Sequence, residues 1–185
     1  MAAIDVAGFV ADLKDHAVTH GFHVQDERHF VDTYSLRQAW EVDLHHEEGC
    51  GGPIDLHVEL DVDPRTLLAF EDAVLGLPEE LDPPDEFHFP LMLTWTLPPM
   101  PQSPDLLRLA IDLAPVGGMD MPLEVTASDS FASPTETSER RISIIAHRAI
   151  SLSQVAKGED PLCEIFEKSR GISDFLLQAA DAWLS

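Results

Sequence analysis

Apolar and polar residues alternate with a period of two through two runs in the first third of the chain. Trp40, Val42 and Leu44 interleave with Glu41, Asp43 and His45, and Ile54, Leu56, Val58, Leu60 and Val62 interleave with Asp55, His57, Glu59 and Asp61. This pattern predicts two half-buried β-strands. Between them lies Gly49-Cys50-Gly51-Gly52-Pro53, where glycine permits turn conformations and Pro53 opens the return strand without needing a donor, so the segment reads as a hairpin over 40–62. Pairing symmetrically about Gly51 sets Val42 against Leu60, Leu44 against Val58 and His46 against Leu56 on the buried side. On the other side His45 opposes His57, Asp43 opposes Glu59 and Glu41 opposes Asp61. Like charges in direct opposition cost about 0.2–1 kcal/mol per pair, so this face demands a cation: an Arg from elsewhere in the chain, a metal ion or a basic partner.

The same reasoning places the remaining elements. Val6, Phe9, Val10, Leu13 and Ala17 recur at helical spacing and Gly21 follows as a stop, predicting a first helix over 4–20. Residues 22–38 settle no period and are read as one irregular strand entering the hairpin. Asp63-Pro64 starts a helix that runs to Leu75 and stops at Gly76. Residues 77–86 are a proline-rich acidic loop, and alternation resumes from Phe87 to Leu97, with Pro90 placing the early half of that strand at an edge or a bulge. Leu107, Leu109, Ile111 and Leu113 alternate again and are read as the partner strand of a second hairpin, although Ser103-Pro104-Asp105 would also cap a helix. Gly117-Gly118 turns the chain, 123–127 is a strand, 128–139 a polar loop, and 140–147 a strand leading into a helix near 149–157. Asp160-Pro161 caps a short helix broken at Gly171, and Ser173 caps a last one apolar around most of its circumference, either buried or shared with a second subunit. The expected fold is a single α+β domain over 1–185, with a mostly antiparallel sheet of about five to six strands built on the central hairpin and helices on one face.

The 185 residues suffice for one core, and composition changes the picture mainly through charge. A net charge of −23 argues against nucleic acid or an anionic membrane as a direct partner. The N-terminus lacks the basic leader of a signal peptide, and no apolar run approaches the ~20 residues of a membrane span, so a soluble protein is expected. Two cysteines without CxxC spacing suit a reducing cytoplasm. Arg outnumbers Lys, and Ala, Leu, Asp and Pro are abundant, a bias typical of GC-rich bacterial genomes.

Several groups could carry chemistry. Asp12, His16 and His20 descend one side of the first helix at four-residue intervals, a metal-compatible spacing, though His20 also suits the helix C-terminus by charge. Glu71 falls between two apolar groups of its helix and is read as lying at the edge of the contact, reaching solvent. His45 and His57, with Asp43, Glu47, Asp55 and Glu59, could bind Zn²⁺ or Mn²⁺ and activate a water. Arg140, Arg141 and Arg148, with His147, form the one basic cluster and could neutralise the hairpin carboxylates if their strand lay beside them. No nucleophile motif, phosphate loop or HExxH is present, and Cys50 has Glu47 and Glu48 for sequence neighbours, so no catalytic residue is assigned.

The order of elements is similar to that of small acidic secretion chaperones and bacterial immunity proteins, a likeness of architecture that no motif carries and that assigns no family. The expected function is a non-enzymatic cytoplasmic module, chaperone-like or inhibitor-like, that binds a basic protein through Glu41, Asp43, Glu59 and Asp61 and dimerises through its C-terminal helix. The alternative is a metal-binding protein or metal-dependent hydrolase centred on His45 and His57.

Overall fold

The computed structural model describes residues 4–78, 81–100, 103–131 and 139–184. Six strands, β1 (Phe22–Val31), β2 (Gln38–His46), β3 (Asp55–Val62), β4 (His88–Thr96), β5 (Leu123–Ser130) and β6 (Glu139–Ser151), form one sheet in the order β1-β2-β3-β4-β6-β5 with every neighbouring pair antiparallel. Five helices pack against it: α1 (Val6–Thr19), α2 (Pro64–Leu75), α3 (Leu106–Gly117), α4 (Leu152–Lys157) and α5 (Leu162–Leu184). The α+β class and the antiparallel sheet are as the alternation implies. No described helix is long and apolar enough to cross a membrane.

One face of the sheet makes the core. Val42, Val58, Leu93 and Ala146 form one row across β2, β3, β4 and β6, and Leu44, Leu56, Trp95 and Ile144 form the next, all buried beneath the helices. α1 contributes Phe9, Val10, Leu13 and Ala17, as its spacing predicts, with Asp5 capping it by accepting from the Gly8 N–H at 2.9 Å. α2 matches its sequence signals throughout: Asp63 caps it, Pro64 opens it and Gly76 closes it. Pro90 lies opposite Ala149 of β6, one residue beyond Leu91, the last residue of β4 that pairs with β3, so the missing donor falls where the strand has lost one neighbour.

Four expectations are corrected. Residues 22–38 hold a ten-residue strand and a tight turn rather than one irregular strand; β1 pairs with β2 along its length, interrupted by a bulge between Val24 and Asp26. The hairpin register is offset by two residues from the symmetric one, with Trp40 opposite Leu60, Val42 opposite Val58 and Leu44 opposite Leu56. The chain leaves β2 through a 3₁₀ turn over Glu47–Gly49, and Gly51 at φ +77° completes the reversal, so the turn begins earlier than the glycines suggest. Residues 106–117 are helix, not strand, because Asp105 accepts from the Arg108 N–H at 2.8 Å and because Leu109 and Leu113 go into the core while Leu107 and Ile111 stay exposed. α5 runs unbroken through Gly171; Ser173, instead of capping a new helix, is buried and accepts a hydrogen bond from the Trp95 indole N–H at 3.0 Å. The acidic loop over 77–86, the segment joining β4 to α3 and the polar loop over 128–139 each extend in part outside the described residues; the last keeps β5 as far as Ser130.

Candidate functional site

Among the described residues, no layer covers the second face of the sheet. Glu41, Asp43, His45, His57, Glu59, Met92, Thr94, Ser143 and Ile145 alternate with the core residues and none is buried. Here the two-residue offset decides the chemistry. None of the three expected pairings is found: the observed register sets Glu41 opposite Glu59, so one carboxylate pair stands where two were expected, while Asp43 faces His57 and His45 lies against Asp55 with Nδ1 3.1 Å from Oδ1. His45 and His57 are therefore not opposed. A slip by an even number leaves every side chain on its face but exchanges its partner, so burial alone does not select between the two registers, while charge favours the one found.

The compensating cations come from the first hairpin. Arg28 of β1 reaches Asp26 at 2.6 Å, Asp43 at 2.8 Å and Glu41 at 3.0 Å, and Arg37 in the β1–β2 turn reaches Asp61 at 2.6 Å. Hydrogen bonds to Glu41 and Asp43 push the Arg28 guanidinium further into its protonated range. Partial burial pushes the Asp43 carboxyl up, but the hydrogen bonds from His57 and Arg28 and the Arg28 charge outweigh it and hold Asp43 below the ordinary carboxylate range. Neutralisation by arginine is thus correct in kind, but the expected cluster does not supply it. Arg140 pairs with Asp129 on the far edge at 2.7 Å, Arg148 donates to the Asp120 carbonyl, and β6 is separated from β2 by β3 and β4. Glu59 makes no ion pair among the described residues.

The proposed metal ligands separate into groups. Glu41, His57 and Glu59 can bring one ligand atom each within 4.8 Å of one another, and the His57 Nδ1–H donates to Asp43 at 2.6 Å, leaving Nε2 free in the neutral ring. His45, Asp55 and Glu47 lie outside that group: His45 turns to Asp55, and Glu47 pairs with Arg170 of α5 at 3.3 Å. On α1 the His16 and His20 rings stack with centroids 6.3 Å apart, Asp12 is exposed, and His20 Nδ1 lies 2.8 Å from the His16 carbonyl, so the three do not converge. Glu71 is half-buried at the rim of α2.

Three features escaped the sequence. His23 Nδ1 lies 3.1 Å from Cys50 Sγ, and His20 Nε2 lies 3.4 Å from Cys163 Sγ, so both exposed thiols have an imidazole neighbour that chain order conceals. His46, expected only as a packing residue, comes within 3.1 Å of Asp174 on α5. Finally, Phe30, Val31, Tyr34 and Leu36 are exposed together where β1 turns into β2, and Phe30, Arg37, Glu59 and Asp61 line a shallow depression of about 260 Å³ there. Their signal was present as apolar residues in a segment with no period. Comparison with protein-family models, with curated proteins and with solved structures found no match.

Proposed function

We propose that the open face of the sheet is a docking surface for a basic segment of another protein, and that the chain works by binding rather than by catalysis. The observation that supports this best is the uncovered face itself, where unpaired Glu59 and the Asp61 carboxylate adjoin the exposed Phe30, Tyr34 and Leu36. Carboxylates beside an apolar rim suit a partner that alternates Lys or Arg with apolar residues. Arg28 and Arg37 hold Glu41, Asp43 and Asp61 in place, so that Glu59 offers the free charge and the others set its surroundings. The cytoplasm suits the two free thiols. Dimerisation through α5 is the lesser part of the proposal, since Ile165, Phe166, Ile172 and Leu176 already enter the chain's own core and, among the described large apolar side chains, half-buried Phe175, Leu177 and Trp183 remain to meet a second copy. Sedimentation over a range of concentrations tests it.

The main reading is tested by titrating labelled protein with a peptide that alternates lysine and leucine while following backbone amide shifts. Shifts confined to residues near 30, 41, 59 and 61, suppressed by salt and by Glu59→Gln with Phe30→Ser, are expected. Shifts scattered over the molecule, or unaffected by those substitutions, would reject this face.

A second reading has a specific observation behind it. The Asp43–His57 hydrogen bond fixes the ring so that Nε2 joins Glu41 and Glu59 on the open face, the donor set of a Zn²⁺ or Mn²⁺ site. Metal analysis of the untagged parent beside its His57→Ala variant, with melting before and after chelation, separates it from the first: a metal lost with His57 belongs to the open face.

A further inference from the structure

His46 ends β2 with its side chain on the core face, only 4% exposed, against the edge of the Phe22 ring. Its Nε2 is shut off from solvent and makes no hydrogen bond among the described residues. Asp174 Oδ1 lies only 3.1 Å away, yet the contact does not have hydrogen-bond geometry. A buried polar atom left in this state is destabilising and is uncommon without an unseen partner. Glu48, two residues on and exposed, completes a set whose ligand atoms all lie within 4.8 Å of one another.

We propose that His46, Glu48 and Asp174 bind a divalent transition-metal ion of the Zn²⁺ class where the β2–β3 turn meets α5. One imidazole nitrogen and two carboxylate oxygens are borderline and hard donors suited to Zn²⁺, Co²⁺ or Mn²⁺. Two ligands bonded to one tetrahedral Zn²⁺ stand roughly 3.4 Å apart, close to the observed separation of His46 from Asp174. Asp174 is half-buried and Glu48 is exposed, so both can shift to admit the ion while the histidine stays fixed. The turn is already held to α5 by Glu47 with Arg170 and by close approach of Gly49 to Leu177, so the ion would bind a preformed junction. Binding has one local cost. The Glu48 N–H contacts His46 Nδ1 at 3.3 Å, which places the proton of the neutral ring on Nε2. The ion takes the Nε2 lone pair, the proton moves to Nδ1, and that long contact is given up. The alternative is a strained Nε2–H facing Asp174 with no ion.

Full-length untagged protein, stripped with chelator, is titrated with Zn²⁺ against a chromophoric chelator while the imidazole ¹⁵N shifts are followed. The His57→Ala variant removes any contribution from the open face. In that background one equivalent of Zn²⁺ should bind and the His46 Nε2 should lose its proton. Asp174→Asn and Glu48→Gln, both at accessible positions, should weaken binding by at least the roughly 10- to 100-fold that loss of an outer-shell partner costs. Failure of His57→Ala to bind Zn²⁺, or binding indifferent to both carboxylate changes, overturns the site and leaves Nε2–H with Asp174.

Discussion

The two faces of the central strands share one backbone and one register but are held by different forces. On the covered face, Val42 opposite Val58 and Leu93 beyond them are sealed by helices, and removal of apolar area from water supplies the stability. On the open face, one residue along, Glu41 stands opposite Glu59, and Arg28 fastened to Asp26, Glu41 and Asp43 provides local balance. The difference shows a division of labour: the covered face decides that the sheet forms, while the open face discriminates between registers that bury the same side chains.

The sharpest test sets the faces against each other on one strand. Leu93→Ala should cost about 2–5 kcal/mol in urea unfolding, because a fully buried side chain leaves a cavity. Its neighbour Thr94→Ala should cost no more than about 1 kcal/mol. Equal losses would erase the distinction. Ser173→Ala should fall between them, at about 1–3 kcal/mol, by leaving the buried Trp95 N–H without an acceptor. Arg28→Met should lower the unfolding midpoint less than Leu93→Ala does, and the deficit should shrink as salt rises, since only the open-face term is screened. A deficit that ignores salt would mean Arg28 acts by packing.

The Asp43 carboxyl gives a pH test with a defined sign. Its folded value lies below the unfolded one, near ~3.9, so its contribution is fully present above that value and is lost as pH falls through the lower folded value. Asp43→Asn should be less stable than the parent at neutral pH and should converge with it in acid. The smallest effect belongs to Arg140→Ala: its exposed pair with Asp129 is at the far edge, so neither the midpoint nor its salt dependence should change measurably.

Elements whose local signals agree were legible in the sequence. α2 has a cap, a proline at its first position and a glycine stop, and nothing tertiary contradicts them. α3 was not legible, because Leu107 and Ile111 are exposed and, interposed among leucines, imitate a strand. In β1 the bulge reverses the side-chain phase, so Val24 lies beside buried Leu44 while Asp26, two residues on, lies beside open-face Asp43, and no single period fits the run. That is why Arg28, the residue that most shapes the open face, could not be found, whereas the acidity of Glu41, Asp43, Glu59 and Asp61 could. Register depends on where the turn begins, and the 3₁₀ turn at Glu47 is written in geometry rather than in the glycines. His46 and Asp174 are joined only by the fold, with no local pattern to announce them.

The strand order also has a kinetic consequence. From β1 to β4 the spatial order follows the chain, and the first two pairs close short connections, whereas the β5–β6 hairpin must dock with β6 beside β4 across a longer stretch of chain. Contacts close in sequence cost little loop entropy, so the half of the sheet that bears the acidic face should assemble early, and the insertion of β6 should limit the folding rate. Ser173 then reports the late step: its hydrogen bond to Trp95 joins the long C-terminal helix to a strand that must first be in place. Indole fluorescence from Trp95 should therefore trail the secondary-structure signal as the chain folds.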